Sequence, residues 1–456
     1  MDAYLTRTLR RMPWGSGVAR ILASAVEAVE PRKAVQRAMR IDGDSLLIEG
    51  TAYPLQGEGQ IYVVGAGKAG APMAQGAVEI LGDSVRGGVV IVKEGHYTVA
   101  GLPSHLEIIP AGHPVPDRRG VEGTRRLAAM ISDLSPQDLV ICLISGGGSA
   151  LLTLPAEGIA REDIQELTRL LLASGAGIEE INTLRRHLDL VKGGGLARLA
   201  APARVATLIL SDVIGNPLEA IASGPTAPDR TTYADALEIL GRYDLLQVVP
   251  AGILARLKAG SAGGLEENPG REDPVFKAVQ NVLIGSNRLA ADAAIRQARQ
   301  EGYQTLLLTT SLQGEAKEAG RLLASLARGM VEEGVPLSRP ALLVAGGETT
   351  VRVQGEGLGG RNSEMALGAV RDMSGLPGAA LVTLATDGGD GPTDAAGAVV
   401  TGETLAQAKA LGLEPEVYLK RNDSYNFFAP LGDLLKPGPT LTNVNDLAFV
   451  FTLGTA

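Results

Sequence analysis

The chain has 456 residues and a net charge of −9, with 42 Lys and Arg against 51 Asp and Glu. A hydrophobic fraction of 45% excludes wholesale disorder, and at roughly 150 residues per domain the length suggests two or three domains. The acidic balance and the 3% of aromatic residues argue against a nucleic-acid-binding surface.

The N-terminal MDAYLTRTLRRMPWGSG carries Arg7, Arg10 and Arg11 but lacks the apolar core of a secretory signal, and reads as a surface arm or first helix. A helical pattern runs from Gly17 to Met39, with Val18, Ile21, Leu22, Ala25, Val26 and Val29 on one face and a break at Pro31. Short strands at Leu46–Ile48 and Ala52–Leu55 form a hairpin. Near-continuous aliphatic runs then mark strands at Ile61–Val64, Val89–Val92, Leu106–Ile109, Leu139–Ile144 and Val205–Leu210, with helical patterns such as Glu122–Ser132 and Glu162–Ala173 between them. This alternation predicts a doubly wound parallel α/β sheet. The strand at Leu139–Ile144 holds the single cysteine, Cys142, so no intrachain disulfide forms, which fits a reducing cytoplasm.

The Gly-, Pro- and Glu-rich stretch Ala259–Asp273 is the expected boundary, giving domains at 1–265 and 275–456. A second βα series follows it. Asn281–Ile284, Thr305–Leu308, Leu342–Ala345 and Leu381–Ala385 are its strands, and Arg288–Gln300 and Glu315–Glu332 are helices. No segment reaches the ~18 uninterrupted apolar residues of a membrane span. The expected fold is a Rossmann-like N-terminal domain with a smaller C-terminal α/β domain, and the active site in the cleft between them.

Glycine supplies 59 of the residues, clustered in loops rather than periodic. Clustered glycine in an ordered chain marks places where backbone must approach a ligand closely. The first such loop, Gly65-Ala66-Gly67-Lys68-Ala69-Gly70, matches the GxGxxG dinucleotide fingerprint after a strand and before a helix. Lys93-Glu94 ends the next strand, where an acid can meet a ribose. Lys68 adds a cation at a helix start, but Ala69 stands where a Walker A loop needs Ser or Thr. The second loop, Ser145-Gly146-Gly147-Gly148-Ser149, offers a nest of N–H donors for a phosphate or carboxylate.

Asp212 follows a buried strand and can bind metal, act as a base or cap a helix. Gly346-Gly347-Glu348 and Gly359-Gly360-Arg361-Asn362 form a fourth site, with Arg361 as an anion clamp. Asp387, Asp390 and Asp394 share a loop suited to Mg²⁺. The four histidines, His96, His105, His113 and His187, are not spaced as a zinc pair; His113 can border a ligand, and His187, set among bases, can line an acidic-substrate pocket. No GxSxG elbow supports a hydrolase triad. A dehydrogenase needs one phosphate loop and leaves the others unexplained, whereas a two-domain small-molecule phosphotransferase uses several.

The chain resembles the class II glycerate kinases with a C-terminal MOFRL domain. The resemblance rests on VVGAGKAG, AGHPVPD, ISGGGSALL, KGGGLA, IASGPT, GGETTV, GGRNSE, TDGGDGPTDAAGA and TNVND in this order over nearly the whole chain. It implies phosphorylation of D-glycerate at O2 with ATP and Mg²⁺, and it points to Lys68 and Arg361 as the key cations. The expected catalytic residues are Lys68, Arg361 and Asp212. Gly65, Gly67, Ser145, Gly146, Gly147, Gly148, Ser149, Glu348 and Asn362 are expected to bind substrate or nucleotide, and Asp387 and Asp390 the metal. The expected partners are small molecules, with no nucleic acid or membrane, and a homodimer is compatible with this reading. Four positions depart from the family pattern: Leu358 for Lys, Asn216 for Asp, Ser363 for Gln and Leu441 for Gly. Two other readings stay open: an NAD(P)-dependent hydroxypyruvate reductase and a non-catalytic sensor of nucleotide or sugar acid.

Overall fold

The computed structural model describes residues 2–55, 57–95 and 101–453. His96 lies outside them. The chain divides into two compact units: Pro31–Ile284, and Met1–Glu30 together with Gly285–Ala456. The division differs from the expected one in the residues before Pro31 and at the internal boundary. The Gly- and Pro-rich stretch before Pro274 lies inside the first unit. There the Asn268 side chain donates to Asp229 at 2.9 Å and to the Arg186 carbonyl at 3.1 Å, and Arg198 donates to the Glu267 carbonyl. A loop fastened in this way is a covering segment rather than a linker.

In the first unit, helix Pro31–Ala38 leads into a three-stranded antiparallel meander of β1 (Met39–Asp42), β2 (Ser45–Ile48) and β3 (Thr51–Pro54). Only Met39 of β1 is buried, so this strand carries no alternation for sequence reading to detect. The main sheet contains β4 (Ile61–Ala66), β5 (Val85–Lys93), β6 (Leu106–Ala111), β7 (Leu139–Ile144), β8 (Arg204–Leu210) and β9 (Val279–Gly285). Their order is β6-β5-β4-β7-β8-β9, with parallel pairing from β6 through to β8. Numbered within the sheet, this is the Rossmann order 3-2-1-4-5-6. All six residues of β7 are buried, which is why the strand reads as an unbroken aliphatic run.

β9, expected to open the second series, closes the edge of this first sheet instead. Gln280 accepts from the Tyr53 hydroxyl at 2.7 Å, and Asn281 exchanges hydrogen bonds with Thr226 at 2.7 and 3.0 Å. Beside the sheet, the helices Arg161–Ala173, Ile178–His187, Tyr233–Arg242 and Ala251–Ser261 share an apolar core around Leu167, Leu184, Leu240 and Leu257.

The second unit is built on a mixed sheet of β10 (Gln304–Leu312), β11 (Ala341–Gly347), β12 (Ala379–Ala385), β13 (Gly397–Thr401), β14 (Leu434–Leu435) and β15 (Asp446–Thr452). The order is β10-β11-β15-β12-β13-β14; β10 and β11 are parallel, and β15 runs antiparallel to both of its neighbours. The central strand is therefore the last in sequence. Its first residue, Asp446, pairs with Gly347 on one side and Ala385 on the other.

Residues before Pro31 join this unit because their amphipathic helix needs an apolar partner. Helix Gly15–Glu27 buries Val18, Ile21, Leu22 and Ala25. Arg20 pairs with Glu301 at 2.5 and 2.7 Å, Thr8 binds Asp433 at 3.0 and 2.7 Å, and Thr442 donates to the Val29 carbonyl at 2.6 Å. Pro31 stops the first helical pattern by starting a new helix, Pro31–Ala38, in its first position. No helix among the described residues is long and apolar enough to cross a membrane.

Two of the departures from the family pattern lie at left-handed backbone positions. Asn216 has φ 53°, a conformation that Asn tolerates. Leu441, half exposed, has φ 62°, where a branched side chain meets its own carbonyl. Leu441→Gly relieves that clash and should raise unfolding stability by about 1 kcal/mol, read from chemical denaturation. An unchanged or lower midpoint would remove strain as the account of this position.

Candidate active site

The crevice of a Rossmann sheet opens where the strand order reverses, here between β4 and β7. Ala66 and Ile144 are paired at the ends of these strands, so Gly67 and Ser145 emerge side by side. They are so close that a Cβ on Gly67 would stand 2.0 Å from the Ser145 Oγ. That hydroxyl accepts from the Ala69 amide at 3.0 Å. The Gly67 amide donates to the Ile91 carbonyl at 3.0 Å, the Lys68 amide to the Gly146 carbonyl at 2.9 Å and the Gly70 amide to the Gly67 carbonyl at 3.1 Å. The donors that a dinucleotide pyrophosphate would need are thus committed to protein. Glu94, placed for a ribose, is held by Arg119 through two contacts of 2.8 Å, which keep its carboxyl below the usual carboxylate range.

The neighbouring loop is different. The amides of Gly146, Gly147 and Ser149 donate to no acceptor among the described residues. The Lys68 Cγ and the His113 ring lie 3.5 and 2.9 Å from where a Cβ on Gly147 would stand. The half-buried Lys68 side chain makes no ion pair among the described residues. A Cβ on Gly146 would meet the Asp212 Oδ2 at 2.1 Å, so the carboxylate rests against this loop. The Ser149 hydroxyl bonds Ser223 at 3.1 Å, and Ser223 bonds Asn182 at 3.3 Å. Backbone donors and the Lys68 chain thus meet at one loop, with a carboxylate and an imidazole beside them. Such a set holds an anion and leaves a base at its edge.

The second unit gathers its polar residues at one end of the mixed sheet. The pairing of β11, β15 and β12 sets Glu348, Asp446 and Asp387 at the same strand ends. Arg361 is the first residue of helix Arg361–Met373. It donates to Glu348 at 2.6 Å and to both oxygens of Asp446. Burial pushes the Asp446 carboxyl up to about 6, although Arg361 and Asn362 pull it down. Burial acts against the charge on Arg361, but Asp446 and then Glu348 hold it charged. Three of its five N–H donors are committed and two remain.

Asp390, expected at a metal, is 1% exposed and clasps the start of the same helix. One oxygen accepts from the Asn362 amide at 2.9 Å, and the other from the Ser363 amide at 2.8 Å and the Ser363 hydroxyl at 2.6 Å. Those contacts satisfy free amides of a helix N-terminus. They also explain Ser363, whose short hydroxyl reaches both Asp390 and, at 2.8 Å, Ser424. Asn362 is likewise buried, with its Oδ1 unpartnered. Asp387 is exposed, and among the described residues its carboxylate accepts only from its local Gly389 amide, at 3.1 Å. Asp394 is tied to Tyr425 and Lys436. Leu358 is 37% exposed and contributes its amide to Asp423 at 2.9 Å. Among the described residues, no three His, Cys, Asp or Glu side chains converge as a metal cage. Mg²⁺ beside phosphates usually takes only one or two carboxylates, so the hard oxygen of Asp387 fits that demand. Cys142 takes no part: burial pushes its thiol up to about 12.

Two residues escaped the sequence reading. Asp446 lies in the TNVND motif and begins the unpredicted strand β15; the apolar run LAFVF after it was the available signal. Arg185 was passed over for His187. His187 is 1% exposed, bonds the Thr183 carbonyl at 2.9 Å and packs edge-on to Tyr233. Arg185, two residues earlier on the helix, faces a cavity of 290 Å³ that His113 and Ser149 also line.

Sheet order defines a Rossmann-type α/β protein, and the loop after β7 is the one that keeps uncommitted amides at its crevice. Family models match at residues 17–258, described as a domain of unknown function, DUF4147, and at 341–446, the MOFRL family. A D-glycerate 2-kinase of Thermotoga maritima is 43% identical over 94% of this chain and 95% of its own length. A glycerate 2-kinase of Pyrococcus horikoshii is 41% identical over the same shares. The crystal structure of glycerate kinase from Thermotoga maritima superposes with a TM-score of 0.87, at 42% identity, covering 96% of this chain and 99% of that one. The chain belongs to the glycerate kinase family with a C-terminal MOFRL domain.

The Asp446 carboxyl gives a signed pH prediction. Its folded pKa of about 6 lies above the unfolded value, so between pH about 4 and 6 the folded state binds more protons. This group therefore lowers stability as pH rises through that window, by about 3 kcal/mol in all, and by nothing further above it. Asp446→Asn should flatten that part of the stability profile relative to the parent. Arg361→Ala should cost about 3 kcal/mol at pH 7, because it strands a buried charge, and Asp446→Asn should restore most of the loss. Additive effects of the two substitutions would refute the pairing.

Proposed function

We propose that this chain phosphorylates D-glycerate at O2, using ATP and Mg²⁺. The observation that carries this reading is the contrast between two adjacent loops. The fingerprint loop has its amides committed to protein, whereas Gly146, Gly147 and Ser149 keep theirs uncommitted, with the Lys68 side chain passing Gly147. That pattern favours a phosphoryl group over a dinucleotide, and so a kinase over a reductase. The names of the relatives, D-glycerate 2-kinase and glycerate 2-kinase, support the same reading of substrate and position.

In this mechanism the glycerate hydroxyl oxygen forms a bond to the γ-phosphorus as the bond to the bridging oxygen breaks and ADP leaves. Asp212 accepts the hydroxyl proton. Lys68 and the loop amides stabilise charge on the transferring oxygens. Gly65 and Gly67 shape the loop that positions Lys68, and Gly148 continues the amide loop into its short helix. Arg361 offers its two uncommitted N–H groups to the nucleotide phosphates, and the half-exposed Glu348 can yield further ones. Asp387 would hold Mg²⁺, which supplies charge shielding to the phosphates when bound. Asp390 and Asn362 position Arg361 by fixing the start of its helix.

Purified protein should release ADP from ATP only with D-glycerate and a divalent cation present. NADH oxidation by hydroxypyruvate without ADP release would overturn the assignment. Lys68→Ala should lower kcat/KM by about 10²-fold or more, on the order of 3 kcal/mol, without loss of thermal stability. Near-parental turnover would displace the site. Asp387→Asn should raise the Mg²⁺ concentration for half-maximal rate more than it raises KM for glycerate. A magnesium titration that overlays the parent's would exclude Asp387 as a ligand.

A further inference from the structure

The cavity of 290 Å³ in the first unit adjoins the amide loop through Gly147 and Ser149. It is at the small end of ligand sites, which run from about 300 Å³ upward, and suits a compact metabolite better than a nucleotide. Its lining carries two cations, Lys192 and Arg185. Their situations differ. Lys192 is 2% exposed and fully engaged: its ammonium donates to Asp189 at 2.8 Å, to the Leu152 carbonyl at 2.5 Å and to Thr153 at 3.3 Å. With Asp189 beside it, that pair adds no net charge to the cavity.

The Arg185 side chain makes no hydrogen bond or ion pair with any described residue. It sits in the last turn of helix Ile178–His187, whose other two basic residues are partnered: Arg186 by Asp229 at 3.0 Å and His187 by Thr183. Burial pulls the Arg185 guanidinium below its usual range, with no carboxylate to offset it. A half-buried guanidinium without a partner is costly unless something anionic meets it. Its planar fork matches a carboxylate through two parallel hydrogen bonds. Beside His113 and Thr153, the polar lining includes Ser149, Gln165 and Thr168, which supply hydroxyl and amide groups for alcohol oxygens. Gln165 is already oriented by donating to the Pro116 carbonyl at 2.8 Å.

We infer that Arg185 is the residue that binds the carboxylate of the acid substrate, in this cavity, and so makes the enzyme select hydroxy acids over neutral polyols. The inference rests on the glycerate-phosphorylating reading above. It places the carboxylate at Arg185 and the reacting hydroxyl toward Ser149 and Gly147, where the Lys68 chain passes.

The test separates the two. ADP release is followed with D-glycerate varied, with ATP varied, and with glycerol, which lacks the carboxylate. Arg185→Gln should raise KM for D-glycerate by at least about 30-fold and leave KM for ATP within about twofold. The preference for D-glycerate over glycerol should collapse by a similar factor, and the melting temperature should not fall, because an unpartnered charge has been removed. Arg185→Lys keeps the charge but loses the fork. It should give a smaller rise in the same KM, about 5-fold or more, and serves if the glutamine variant does not fold. A parental KM for D-glycerate in either variant overturns the inference while leaving the kinase reading intact. If the parent releases no ADP with D-glycerate, the kinase reading fails, and thermal shifts with D-glycerate and L-lactate at fixed ionic strength test the anchor alone. Stabilisation of the parent that is lost in Arg185→Gln supports it; an equal shift in both overturns it.

Discussion

The pairing of β4 with β7 is the constraint from which the first unit's chemistry follows. Because Ala66 and Ile144 are in register, two glycine loops leave the sheet together, and they bind each other. The Ser145 hydroxyl and the Gly146 carbonyl take amide protons from Ala69 and Lys68. One loop thereby becomes scaffold and the other keeps its donors. A slip of one residue would separate Gly67 from Ser145 and exchange these roles. The fingerprint GxGxxG is real as a turn, but its partner across the strand decides what it can bind.

The second unit rests on a comparable constraint, set by a charge rather than by a register. Asp446 begins the central strand, where water is scarce, and its carboxylate persists only because Arg361 and Asn362 face it. Arg361 in turn is held by a helix whose first amides are fastened to Asp390. Removing any member of this chain leaves a buried group without its partner.

Aliphatic strands were legible in the sequence because both faces of a parallel sheet are covered. β7 shows this in full, and the glycine loops at strand ends were equally plain. What escaped had a physical reason in each case. β1 exposes three of its four residues, and β14 has only two residues, too few for any periodicity. β15 is apolar from Leu447 to Phe451, yet it follows a loop rich in Thr and Asn with no helix directly before it, so no alternation announced it. Asp390 reads as a metal ligand in an Asp-rich loop, and only the three-dimensional placement of residues 360–363 shows that it caps a helix. Arg185 and His187 differ by two positions on one helix, so they face different sides, and composition alone cannot say which side is hollow.

The discontinuous second unit has a consequence for how the chain comes off the ribosome. Helix Gly15–Glu27 emerges early, but the core that covers its apolar face begins only beyond Ile284. The roughly 250 residues between form a contiguous unit that can fold meanwhile, and at about 5–20 residues per second they take some tens of seconds to appear. For that interval Val18, Ile21, Leu22 and Ala25 face water together, a stretch suited to capture by a chaperone. That helix therefore stays open to aggregation until residues beyond Ile284 have been made.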